Sequence, residues 1–278
     1  MSGGARPGVL PSCSPRWRCA ALVVPSATPA AAAAAVPVTV TFNAGADQPF
    51  TVPSGVTQLT VTATGAAGQN GPSGGTGGNG ATVTGTVTVP PSTTTLYVNV
   101  GTGGAQRRIG DYGRCGGGSS DVRTCSSAGP GCTLTGVPGT DPRLIVAGGG
   151  GGGGSGVPTN FLNPEATGGD AGITGVRRQQ NEQRPGRRRR NPDSGGAGGA
   201  VCPGSGGTSG TPGTGGAGGN GGGNFGAGGG GGGWFGGGGG GGCNRLSFPP
   251  AFGPGGGGGA SNRVPTGGTS APAAGWPR

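Results

Sequence analysis

Pro142-Arg-Leu-Ile-Val-Ala147 runs without a break into seven consecutive glycines, Gly148 to Gly154. Four adjacent apolar residues of this kind suit a strand buried on both faces. A flexible linker has no reason to begin where a buried strand ends, so the junction predicts that the glycines are packed. Upstream, the alternation is of the half-buried kind. Val38-Thr-Val-Thr-Phe42, Gln58-Leu-Thr-Val-Thr-Ala63, Ala81 to Val89 and Thr95-Leu-Tyr-Val-Asn-Val100 place apolar and polar residues in turn, and β-branched residues dominate all four. Phe50 to Gly55 reads as a strand end and turn, Pro90-Pro91 as a strand stop, and Ser120 to Thr124 as a further short strand. No helical period appears. The expected fold class is all-β.

Downstream, glycine takes over, with runs at 228–233, 236–242 and 255–259, Gly-Gly-Ala-Gly-Gly at 195–199 and 215–219, and Trp234-Phe235 alone between two runs. Composition argues for disorder: of 278 residues 78 are glycine and 26 proline, while Leu, Ile, Val and Phe make up only 39. Polyglycine nevertheless has an ordered option, a threefold extended helix rising about 3.1 Å per residue with no internal hydrogen bonds. Its amide groups all point outward and require partners, and without Cβ atoms neighbouring chains approach closely enough to supply them. Ordering a residue costs about 1–2 kcal/mol and a net hydrogen bond returns about 0.5–1.5 kcal/mol, so such a bundle needs anchors. The flanking strands, any disulfide, and Trp234 with Phe235 are the candidates.

The formal charge is +10 and all 18 basic residues are arginine; lysine and histidine are absent. Phosphate-binding loops built on lysine and general-base chemistry built on histidine are thereby excluded. The eight acidic residues are scattered, with no calcium-loop spacing and no credible carboxylate pair. No catalytic residue, cofactor or metal is expected, and the chain reads as a non-enzyme. Seven arginines fall within an insert at 176–191, and Arg187, Arg188, Arg189 and Arg190 are the candidate polyanion contact. Clustered arginine beside bare glycine runs reads first as a solvated loop rather than a nucleic-acid groove.

Residues 1–35 read as an export leader, with Arg6, Arg16 and Arg18 ahead of a short apolar stretch and Ala-x-Ala sites at 30–35. Its removal takes Cys13 and Cys19 and leaves Cys115, Cys125, Cys132, Cys202 and Cys243 as candidate disulfide partners, with a local bridge expected among the first three. Their spacings fit no zinc pattern, and no run is long enough to span a membrane. The organisation expected is a leader at 1–35, a β/polyglycine domain at 36–262 and a disordered tail at 263–278.

The ordered motifs Phe50 to Val61, Gly-Gly-Asn-Gly-Ala81, Leu96-Tyr-Val-Asn-Val-Gly101, Gly-Gly-Gly-Ser-Ser-Asp-Val-Arg123, Arg143-Leu-Ile-Val-Ala-Gly-Gly-Gly and Gly-Gly-Trp234-Phe-Gly-Gly resemble the glycine-rich domain of the extracellular region of anaplastic lymphoma kinase and leukocyte tyrosine kinase receptors, together with its bacterial glycine-rich relatives. The resemblance covers about residues 40–260. It implies a jelly-roll-like, tumour-necrosis-factor-like β-sandwich carrying a bundle of polyglycine helices and long low-complexity loops, and in the receptors that region helps bind protein ligands. This chain carries no kinase motif and no receptor-type membrane span, and the insert at 177–190 and Phe248 to Phe252 are foreign to the pattern. The reading is therefore a secreted or cell-surface structural or interaction module, serving adhesion, envelope or matrix, with a protein or cell-surface ligand as partner. The alternatives are a disordered glycine-rich wall protein and an arginine-rich binder of nucleic acid or other polyanions.

Overall fold

A computed structural model describes residues 37–71, 75–105, 113–155, 166–172, 194–199, 205–222, 225–242 and 254–273. The chain forms two compact units, Met1–Val40 and Thr41–Arg278. In the first, residues 37–40 alone are described; they form no strand, and Val38 is 87% exposed. The strand expected from Val38 to Phe42 is therefore absent: its alternation has no sheet to pack on, and the first strand begins at Gly45.

The second unit is all-β. Its strands are β1 (Gly45–Thr51), β2 (Gln58–Thr64), β3 (Ala81–Thr88), β4 (Thr95–Thr102), β5 (Ser119–Arg123), β6 (Arg143–Ala147), the short pair β7 (Asn220–Gly222) and β8 (Phe225–Gly226), and β9 (Thr269–Pro272). Every pairing between named strands is antiparallel, in sheets of order β1-β4-β5-β6 and β2-β3-β9 and the small β7-β8 ribbon. The two larger sheets meet face to face. Val83 and Val87 of one and Leu96, Val122 and Ile145 of the other form a buried cluster, with Leu59, Val61, Phe50 and Val98 packed around it. Period-2 alternation aims these residues inward, and the threonines between them face outward. The tail expected to be disordered contributes here: β9 pairs with β3, and Arg263 exchanges main-chain hydrogen bonds with Val146. Its weak pattern hid this, since β9 rests on β3 rather than on apolar side chains of its own.

The glycine tracts continue the strands. Residues 65–71 extend β2, 75–80 lead into β3, 113–118 lead into β5, and 148–154 extend β6. Tract 148–154 shows how they pack. Gly149 and Gly152 donate to Gly232 and Gly229, Gly150 and Gly153 to Ala66 and Gln69, and Gly151 and Gly154 to Gly169 and Ala166, at 2.7–3.0 Å. Its carbonyls receive Ala81 and Gly78, Ala260 and Gly257, and Gly117 and Arg114 in the same way. Every third residue returns to the same neighbour, so the tract has six: three that it donates to alternating with three that donate to it. The six also bond to one another in a closed ring, in the order 228–232, 114–118, 65–69, 76–81, 166–172, 254–260. Backbone bonds fill this region as side chains fill the sandwich.

Tract 228–233 is likewise surrounded by six tracts, 254–260, 148–154, 113–117, 103–105, 215–219 and 236–242. No side chain fits at such positions. A Cβ on Gly150, Gly151 or Gly231 would lie 2.0–2.1 Å from a carbonyl oxygen of a neighbouring tract.

Candidate functional site

Asp141, Arg143, Trp234 and Arg263 gather where β6 meets the glycine tracts. Arg143 opens β6 and is fully buried. Its Nε and Nη2 each donate to the Asp141 carboxylate at 2.8 Å, its Nη1 donates to the Gly233 carbonyl at 2.8 Å, and its Nη2 also reaches the Trp234 carbonyl at 3.0 Å. One guanidinium thus ties a sheet strand to the end of a glycine run. The two-pronged geometry is what arginine, and not lysine, supplies.

Asp141 also accepts the Gly136 N–H at 2.7 Å and the Arg143 N–H at 3.0 Å. Burial pushes its carboxyl upward, but the Arg143 side chain, the two amides and the Arg143 charge outweigh that and hold it below the ordinary carboxylate value. Trp234 completes the clamp: the guanidinium carbons of Arg143 and Arg263 each lie 4.5 Å from its ring centre. Burial depresses the Arg263 guanidinium, with Asp141 opposing and Arg143 adding to the shift, and its Nη1 is buried without a hydrogen-bond partner among the described residues. The indole face is what that cation has instead.

Trp234 and Phe235, the expected bundle anchors, are both buried and meet edge to face with ring centres 6.4 Å apart. Their backbone is held by the tract 254–263: Trp234 N–H donates to the Ser261 carbonyl, Phe235 N–H to Ser261 Oγ, and Ser261 N–H back to the Phe235 carbonyl. Gly136, at φ 68°, lies flat against the Phe235 ring, where a Cβ would come 2.4 Å from it.

A second polar line crosses the sheet. Asp47 sits at a bulge in β1 with φ 59°, a left-handed conformation that aspartate tolerates. Its N–H donates to Asn99 Oδ1 at 2.9 Å, and Asn99 Nδ2 faces Asp121 at 3.4 Å. Asp121 is paired with Arg123 through Nε at 2.6 Å and Nη2 at 3.0 Å. From the other side, the Asp47 carboxylate accepts the Ser126 hydroxyl and the N–H groups of Ser127, at 2.8 Å, and Ala128, at 3.3 Å. Burial raises the Asp47 carboxyl, and the hydrogen bonds from Ser126, Ser127 and Ala128 together outweigh it and hold the group below its ordinary value.

Those residues belong to a loop closed by the disulfide Cys125–Cys132, whose Cα atoms are 5.7 Å apart. Between β5 and β6 this connection, 124–142, is mostly exposed, yet it is pinned at the disulfide, at Asp47 and at Asp141. A projecting loop on a stiff base is the usual placement for recognition. Cys115 is half-buried in the ring tract 113–118, apart from that bridge. Cys202, Cys243, Arg187, Arg188, Arg189 and Arg190 lie outside the described residues. Among the described residues no cluster of histidine, cysteine and carboxylate side chains has the makings of a metal site, and no helix is long and apolar enough to cross a membrane.

The clamp was not singled out in the residue order, although a signal is there. Asp-x-Arg occurs at the start of β6 as Asp141-Pro-Arg143 and within β5 as Asp121-Val-Arg123, and both are buried two-pronged pairs. Asp47, Asn99 and Ser261 carry no comparable mark, since their roles depend on contacts far away in sequence. Comparison with known proteins returns no matching family model and no matching curated protein.

Proposed function

We propose that this chain is a non-catalytic interaction module acting outside the cell or on its surface, a jelly-roll-like sandwich bearing a bundle of polyglycine helices. The observation that carries the reading is tract 148–154 with its six hydrogen-bonded neighbours. The three-residue return and the alternation of donor and acceptor neighbours are what a threefold polyglycine helix requires. The connections that set β1 beside β4 and β9 beside β3 suit a jelly-roll-like sandwich. Both features agree with the likeness to the glycine-rich domain of the anaplastic lymphoma kinase and leukocyte tyrosine kinase receptors and its bacterial relatives.

The Cys125–Cys132 disulfide supports an oxidising compartment. The loop it closes is the surface offered to a protein or cell-surface ligand. A largely disordered wall protein is disfavoured by amides so thoroughly paired across distant tracts. The polyanion reading depends on Arg187–Arg190 and gains nothing from the described residues.

Expression in a secreting host, followed by fractionation and thiol mapping, tests the proposal. The expected outcome is an extracellular or surface-bound chain with Cys125 bonded to Cys132 and slow amide exchange at Gly148–Gly154. Retention in the cytosol with both thiols reduced overturns the compartment, and uniformly fast exchange along the glycine runs overturns the architecture.

A further inference from the structure

We propose that the outer edge of β2 docks a second copy of this chain, β2 against β2 across a twofold axis, to make a continuous six-stranded antiparallel sheet. The inference comes from how the four edges of the two larger sheets are finished. An open strand edge invites pairing, and proteins blunt such edges with bulges, proline, charge or cover. β1 is broken by a bulge between Gly45 and Gln48 and carries Asp47 and Pro49. β9 is four residues long and ends at Pro272. β6 is covered where Val146 and Arg263 exchange main-chain bonds. β2 has no bulge, proline or charge. Among the described residues its outer edge is met at the C-terminal end, where Ser120 donates to the Thr64 carbonyl and Ala66 N–H donates to the Gly118 carbonyl, and is open from Gln58 to Thr62. Its seven residues, Gln-Leu-Thr-Val-Thr-Ala-Thr, include no proline, glycine or charge, and its register with β3 is unbroken from Gln58 to Thr64.

The direction of its free groups follows from its ends. Val89 N–H donates to the Thr57 carbonyl and Gly65 N–H to the Ala81 carbonyl, so odd-numbered residues from 57 to 65 turn their backbone groups toward β3. Gln58, Thr60, Thr62 and Thr64 turn theirs outward. The Thr64 carbonyl accepts the Ser120 hydroxyl at 2.6 Å, and no described residue bonds to the backbone of Gln58, Thr60 or Thr62 on that side. Leu59 and Val61 pack against the core yet remain half-buried, and no strand among the described residues pairs with them at the outer edge.

The strand is its own complement. A twofold axis through Val61 sets Thr60 opposite Thr62 of the second copy, Val61 opposite Val61, and Leu59 opposite Ala63. Threonine then meets threonine on the outer face, extending the cross-strand hydroxyl contacts Thr62–Thr84 at 3.1 Å and Thr64–Thr82 at 3.4 Å. Apolar residues meet on the inner face, and no like charges are brought together. The pairing is isologous and closes at two chains. It rests on this edge alone and holds whichever compartment the chain occupies.

Sedimentation equilibrium of the oxidised full chain over a concentration series tests it, at about 0.15 M salt, where charge repulsion is screened within about 8 Å. The expected result is a reversible monomer–dimer equilibrium, with Thr60 and Thr62 amides exchanging more slowly as concentration rises. Thr60→Pro deletes an outward N–H and no bond to β3, so it should weaken the dimer at least tenfold while Val83 and Ile145 amides stay protected. Thr60→Lys gives the same readout without constraining the backbone. A chain that stays monomeric throughout, or a dimer that both variants leave unchanged, overturns the proposal.

Discussion

The sandwich and the glycine tracts fill their interiors with opposite materials. Between the sheets, Val83, Val87, Leu96, Val122 and Ile145 exclude water with side chains, and the cost of changing one is set by the volume it leaves. Around 148–154 the same exclusion is achieved by backbone alone, and the cost of changing a residue is set by the volume it adds. Glycine in the first region is a weakness and in the second a requirement. The two are joined without a linker, because β2, β3, β5 and β6 are themselves continuous with tracts of the bundle. The strand pairing therefore delivers those tracts already aligned, which removes much of the entropy that an isolated glycine run would have to lose.

The contrast is broken most severely at the joint. Arg143→Met leaves Asp141 buried with no cation bonded to it, frees the Trp234 carbonyl and leaves the Gly233 carbonyl with the Gly213 N–H alone. Removing one partner of a buried pair costs about 3–5 kcal/mol. Chemical denaturation should show that loss, and amide exchange should show it first in tract 228–233 rather than in β3. A loss below about 1 kcal/mol would mean that the glycine tracts are held without the clamp.

A smaller and cleaner effect separates position from composition. Gly151 and Gly258 both sit in buried tracts, yet a Cβ at Gly151 meets the Gly257 carbonyl oxygen at 2.1 Å, and at Gly258 nothing comes nearer than 3.4 Å. Gly151→Ala should destabilise by about 3 kcal/mol, since backbone cannot step aside as a side chain can. Gly258→Ala should be near neutral, or stabilising by about 0.4–1 kcal/mol through the unfolded chain. Equal effects in thermal melts would show that the tracts are not packed at these distances.

How much of this was legible follows the same division. The strands of the sandwich stand in the sequence because period-2 alternation is local, and β2 to β6 fall within a residue or two of the apolar runs that foretold them. Val38 to Phe42 has an equally good pattern and no strand, since alternation cannot say whether a partner exists. β9 pairs with β3 and has almost no pattern, since its partner was all it needed. Within the glycine region, the seven-residue run at 148–154 marks a tract enclosed on every side. A period of three marks a tract with one open face: in Gly195-Gly-Ala-Gly-Gly199 the lattice side is glycine and Ala197 is exposed. That period is visible in the sequence, but its meaning depends on neighbours far away along the chain. Trp234 and Phe235 could be picked out by their isolation, whereas Arg143, inside an apparently apolar strand, could not be given a role without knowing that Gly233 lies beside it.

The gentlest test bears on how the sandwich holds its exposed loop. Burial pushes the Asp47 carboxyl up, but the hydrogen bonds it takes from Ser126, Ser127 and Ala128 favour the charged form and together hold the group below its ordinary value of 3.8. A carboxylate held lower in the folded chain than in the unfolded one contributes stability that is complete above the unfolded value and fades as pH falls through the folded one. Asp47→Asn should therefore cost on the order of 1 kcal/mol near neutral pH, the worth of the lost charge-assisted bonds. The gap between variant and parent in thermal melts should close as pH falls below about 3.8 toward 2, while the acid sensitivity owed to Asp141 persists in both. A gap that stays constant across that range would mean that the negative charge of Asp47 is not what holds the loop.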